Sequence, residues 1–142
     1  MSIRTKYEHE LAEVFNKLIA MCHMTENAIE KSVRALKTRD DDLAREVMAG
    51  DKNVDHAERE IEQDCLKILL MEHPVAGDFR DVSAALKMIT DLERIADQAA
   101  DISEISLQFK GEEFIKEPEH IEMMAKIVSA MVKDGEIGRA HV

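Results

Sequence analysis

The sequence predicts an all-α fold: an elongated antiparallel three-helix bundle with an additional fourth helix that begins a second repeat. Three observations carry that prediction. Of 142 residues only five are glycine and two proline, and 4% are aromatic, a composition that favours helices over sheets. Apolar residues recur at spacings of three and four over long stretches. Short turn signals alone separate those stretches, so successive helices must fold back on one another.

The first helix is predicted over about residues 4–37, striped by Leu11, Phe15, Leu18, Cys22, Thr25, Ile29, Val33 and Leu36. Thr38-Arg39-Asp40-Asp41 is a break, with Thr38 as the expected cap and Asp41 three residues on. The second helix is predicted over about 40–72, with the stripe Leu43, Val47, Gly50, Val54, Ala57, Ile61, Cys65 and Ile68. His73-Pro74 bounds it, because a residue before proline avoids helical geometry. The third helix follows over about 76–109, striped by Phe79, Val82, Leu86, Ile89, Ala96 and Ala100, and Gly111 ends it. Each helix is roughly 50 Å long at ~1.5 Å per residue.

Residues 1–110 form the predicted first bundle, 111–134 a linker and the first helix of an incomplete repeat, and 135–142 a disordered tail. Pro118 suits the first position of the fourth helix, with Glu119 and Glu122 near its positive end. Shifted by 110 residues, Leu11, Phe15, Leu18, Met21 and Cys22 meet Ile121, Ala125, Val128, Met131 and Val132. The unpaired stripe of Ile121, Ala125, Val128 and Val132 is expected to pack on the first bundle or on another chain.

The net charge of −11 disfavours nucleic acid and anionic lipid, and suits cations or basic partners. Met1-Ser2-Ile3-Arg4 lacks an apolar signal core, and no apolar run is long enough to span a bilayer. Cys22 and Cys65 form no zinc-type spacing and sit on core stripes as buried thiols. A reducing cytoplasm is the expected compartment.

The chemistry to weigh is acidic. Asp51 and Asp55 lie one turn apart on helix two; Glu93 and Asp97 lie one turn apart on helix three. In a hairpin centred on residue 74, Asp51 falls opposite Asp97 and Asp55 opposite Glu93. Like charges 4 Å apart in a partly desolvated seam repel by about 4 kcal/mol at an effective dielectric near 20, so protons or cations must relieve them. Oxygen ligands favour magnesium, manganese, calcium or iron over thiolate-type zinc chemistry. Glu58 and Glu62 are possible additional ligands, and Arg80 and Arg94 possible ion-pair partners. With 30 acidic residues, such pairs also arise on solvated faces, and that alternative stays open.

Enzyme signatures are missing. No phosphate loop, nucleophile elbow or HExxH occurs, and the single Glu-x-x-His spacing, Glu117 to His120, sits at a helix start, against a ferritin-like oxidase. A metal-dependent oxidase and a purely structural adaptor with solvated acidic pairs remain the rivals to a binding module.

Two stretches resemble the PhoU family. One runs from Asp51-Lys52-Asn53-Val54-Asp55 through Glu58, Ile61 and Cys65 to Pro74-Val75-Ala76-Gly77-Asp78-Phe79-Arg80. The other is Ala85-Leu86-Lys87, then Asp91-Leu92-Glu93-Arg94-Ile95-Ala96-Asp97. Ala96 stands where the family usually has glycine, and Phe79 where leucine is commoner. The resemblance covers about residues 8–134. It implies two tandem three-helix bundles, of which this chain holds one and roughly one further helix. It implies metal ions (iron, zinc, magnesium or manganese) on Asp51, Asp55, Glu93 and Asp97. It also implies a non-enzymatic, dimerising adaptor between the phosphate ABC transporter ATPase and the PAS domain of a sensor histidine kinase. Such an adaptor represses the phosphate-starvation response and uptake when phosphate is plentiful.

Overall fold

A computed structural model of the protein describes residues 3–71 and 75–108. Three helices fill it: α1 (Ile3–Thr38), α2 (Asp41–Leu69) and α3 (Ala76–Gln108). All three pack on one another, up-down-up, so α1 and α3 run parallel with α2 antiparallel to both. The predicted fourth helix, the tail, and the His73-Pro74 and Gly111 boundaries lie outside the described residues. Among the described residues no helix is long and apolar enough to cross a membrane.

The α1–α2 turn corrects the predicted cap. Thr38 is the last residue of α1, and its hydroxyl donates to the Arg34 carbonyl, 2.7 Å away. Asp40 caps α2 instead, its carboxylate accepting from the Leu43 N–H at 3.1 Å. Asp40 also closes α1: its own N–H reaches back five residues to the Ala35 carbonyl, around Arg39 at φ 56°. One aspartate therefore ends one helix and starts the next. Asp41 and Asp42 favour the positive end of α2.

Helix α2 stops at Leu69, three residues short of the prediction. The Leu70 N–H reaches both the Leu66 and Lys67 carbonyls, and Met71 bonds back to Ile68. Such tightening is how helices satisfy their last carbonyls. At the start of α3, Asp78 rather than Phe79 turns inward. Asp78 is 3% exposed, whereas Phe79 is 47% exposed. The Asp78 carboxylate accepts from the Val75 N–H at 2.9 Å, the acidic half of a capping box. It also takes a two-pronged contact from Arg4 at 2.8 and 3.1 Å, and the Arg4 guanidinium lies over the Tyr7 ring.

The core lies along the bundle axis in two parts. The larger, nearer the α2–α3 bend, joins Leu11, Leu18 and Cys22 of α1 to Ile61, Cys65 and Ile68 of α2 and Val82, Ile89 and Leu92 of α3. The smaller joins Ile29, Leu36, Val47, Ile95 and Ala99. Phe15 and Val33, predicted as core, pack only from its edges, while Tyr7, Val14 and Met21 are buried. Beside the smaller core, Thr25 and Ser32 are buried with their hydroxyls bonded to carbonyls of their own helix.

Candidate metal centre

Helices α2 and α3 bring the predicted carboxylates to one height. Oxygens of Asp51, Asp55 and Asp97 lie within 4.8 Å of one another, and so do oxygens of Asp55, Glu58 and Glu93. Asp55 belongs to both triads, so they form one continuous acidic seam. The helical rule explains it. Asp51, Asp55 and Glu58 follow at intervals of four and three on the α2 flank facing α3, and Glu93 and Asp97 answer one turn apart. All five are half-buried beside the core residues Val54, Ile89 and Ala96.

Glu58, named in the sequence only as an additional ligand, completes the second triad. Glu62 is exposed and outside both triads. Arg80 and Arg94 are exposed, and neither forms an ion pair with these carboxylates. Nothing in their spacing distinguishes a helper cation from a solvated one. Glu58, by contrast, is legible as the next acid along the same flank.

Charge repulsion marks the seam. Glu93 is pushed up to about 7, first by a hydrogen bond shared with Asp97, then by burial and by the charges of Asp97, Glu58 and Asp55. Burial, followed by the charges of Asp97 and Asp55, raises Asp51. Burial and the charges of Asp55 and Glu62 raise Glu58, against a weak pull from Arg59. Protons held between carboxylates are one relief, and a cation is the other.

A metal ion fits these residues. The Asp51 Oδ1 atom is buried with no hydrogen-bond partner, leaving an acceptor lone pair available. The donor set is all oxygen, which suits magnesium, manganese, calcium or iron. Thiolate ligation is out of reach here, because burial pushes the Cys22 and Cys65 thiols up to about 11 within the core. Asp51 also borders a cleft of about 380 Å³ between α1 and α2, walled by Met24, Val47 and Val54 and flanked by the Lys31–Glu46 ion pair. Gly50 lines this cleft, with open space where a Cβ would stand.

A family model described as PhoU domain matches residues 18–106 of the chain. The phosphate-specific transport system accessory protein PhoU homolog of Aquifex aeolicus (strain VF5) is 35% identical over 128 residues, covering 90% of this chain and 58% of that protein. The Clostridium acetobutylicum homolog of the same name is 32% identical over 132 residues, covering 92% of this chain and 60% of that protein. The crystal structure of the phosphate transport system regulatory protein PhoU from Streptococcus pneumoniae superposes with a TM-score of 0.76 at 24% identity, over 95% of this chain and 69% of that one. The chain thus spans about three fifths of the length of these two curated relatives.

Proposed function

This chain belongs to the PhoU domain family, and from that premise we propose that it is a phosphate-signalling regulator without catalytic activity. It acts as an adaptor between the ATPase of a phosphate ABC transporter and the PAS domain of a sensor histidine kinase. It restrains uptake and the starvation response when phosphate is plentiful. It works in the cytoplasm and pairs as a homodimer or higher homo-oligomer. Asp51, Asp55, Glu93 and Asp97, with Glu58 beside them, hold divalent or trivalent metal ions (iron, zinc, magnesium or manganese) that neutralise the seam.

The observation that supports the metal reading best is the unpaired, buried Asp51 Oδ1 among carboxylates whose nearest charges are mostly those of other carboxylates. Such a group is costly unless a counter-charge arrives. A bound ion would set the shape and charge of the α2–α3 face without any bond being made or broken.

Two measurements test this. Elemental analysis of the purified protein should find metal in the natural chain and little in Asp55→Ala/Glu93→Ala; equal content in both rejects the site. Pull-down from extract, with the transporter ATPase and the kinase PAS domain as baits, should retain the chain. Failure with both baits, together with unaltered repression in cells lacking the protein, rejects the adaptor role.

A further inference from the structure

Four of the five large apolar side chains that are exposed among the described residues gather at one end of the α2–α3 hairpin. Leu66 lies in the last turn of α2 and Leu70 just beyond it; Val75 lies just before α3 and Phe79 in its first turn. Leu70 is 85% exposed, well beyond an incidental surface leucine. Clustered exposure of this kind marks an interaction site.

The patch continues the acidic seam. From Glu58 through Glu62 and Leu66 to the capping residue Leu70, side chains recur every four residues and form one ridge, which winds about 120° around α2. On α3, Phe79, Leu86 and Glu93 recur every seven residues, two turns each, and follow the facing flank. The α2–α3 face is therefore one strip, apolar near the bend and acidic beyond it. At ~1.5 Å per residue, the step from Leu66 to Glu58 is roughly 12 Å and from Phe79 to Glu93 roughly 21 Å. A helix of four to five turns spans that strip.

We propose that this face docks an amphipathic, basic helix of a partner protein. Apolar side chains of the partner sit on Leu66, Leu70, Val75 and Phe79, and its lysines or arginines lie about one to four turns away along Glu62, Glu58 and Glu93. Charge complementarity selects this occupant. The chain carries a net charge of −11, and the seam carboxylates have like charges as their close neighbours. An anionic lipid surface or a nucleic acid would meet the same acids and be repelled. A second copy laid along the whole strip would set acid against acid or acid against leucine, and one paired through the apolar ends alone would leave the acidic half uncovered. An apolar stripe with flanking cations matches both halves at once, in the manner of a helix laid into a groove. Docking here gives the adaptor proposed above its contact surface and rests on that reading for the partner's role alone; it engages the metal-free seam, because Glu58 and Glu93 cannot serve an ion and a partner cation at once.

The test uses a fluorescein-labelled, 18-residue leucine–lysine amphipathic peptide and the full chain, in EDTA at physiological salt, read by fluorescence anisotropy. Leu70→Ser/Phe79→Ser is expected to weaken binding by about tenfold, and Glu58→Gln/Glu62→Gln by a similar factor. Glu10→Gln/Glu104→Gln, on other faces, should change it less than about twofold. Leu70, Phe79, Glu62 and Glu104 are exposed and Glu10 and Glu58 only half-buried, so circular dichroism should match the natural chain throughout. Equal affinity in the Leu70→Ser/Phe79→Ser variant, or equal binding of a peptide with serine for every leucine, means charge adhesion alone and overturns the proposal. So does conversion of a natural dimer to monomer by that variant in sedimentation, which gives the face to a second copy. New protease cutting within residues 109–142 of the variant gives the face to the chain's own C-terminal segment and overturns the proposal equally. Metal content of the same variants separates the two ideas: a peptide site that fails while metal stays on the seam leaves the metal reading standing.

Discussion

Two sets of carboxylates sit in the same bundle and meet opposite fates. At the base, Asp78 is buried with a guanidinium, a backbone N–H and a tyrosine around it, and these hold its carboxyl at about 2, well below the usual range. Midway along α2 and α3, Glu93 has carboxylates around it and is pushed up to about 7. Both are acids on α3, fifteen residues apart. The difference is whether the fold supplies the counter-charge. Where it does, the acid is part of the architecture; where it does not, the acid awaits something from outside, whether a proton, an ion or a basic partner.

Metal addition should break the contrast most visibly. Manganese or magnesium at about one hundred times its dissociation constant should stabilise the natural chain by about 2.7 kcal/mol in thermal unfolding. Asp55→Ala/Glu93→Ala should show almost none of that rise. An identical rise in both would move the ion elsewhere.

Asp78→Ala should come next. It leaves the Val75 N–H and Arg4 without their acceptor, at a cost of roughly 2 kcal/mol, measured by urea unfolding. Glu93→Gln should go the other way in EDTA, stabilising by about 1 kcal/mol because a repelled charge is gone. The same sign for both variants would erase the distinction between the two regions.

Acidity sharpens it further. Glu93 has a raised folded value, so its contribution is favourable below about 4.5 and is lost as pH rises through about 7. Asp78 has a depressed one, so its contribution is present above about 3.8 and is lost as pH falls through about 2. Metal-free protein should therefore melt higher at pH 5 than at pH 8, and Glu93→Gln should flatten that difference. The smallest effect belongs to Lys17, which joins Glu60 at 2.9 Å and Asp64 at 2.6 Å. Partly solvated pairs contribute little, and Lys17→Met should cost less than about 1 kcal/mol.

Much of this arrangement is legible in the residues. Three- and four-residue spacings place the helices to within three residues, and the distance from the bend sets Asp51 against Asp97 and Asp55 against Glu93. What periodicity misses is depth. Phe79 and Asp78 differ by one position and roughly 100° of helix, and periodicity puts the apolar one inside. The fold reverses them because Arg4, seventy-four residues earlier, reaches Asp78 from α1, and no local pattern announces so distant a partner. Thr38 and Asp40 are both good caps by type. Arg39 at positive φ decides between them by ending α1 one residue later than the spacing implies.

Cys22 and Cys65, the chain's two sulfhydryls, lie inside the larger core, where burial pushes both thiols up to about 11. At neutral pH they are chemically silent toward maleimides and mild oxidants. A third thiol introduced on the outer surface would then be the one that reacts, so a fluorophore can be attached at a chosen point without first removing the native pair.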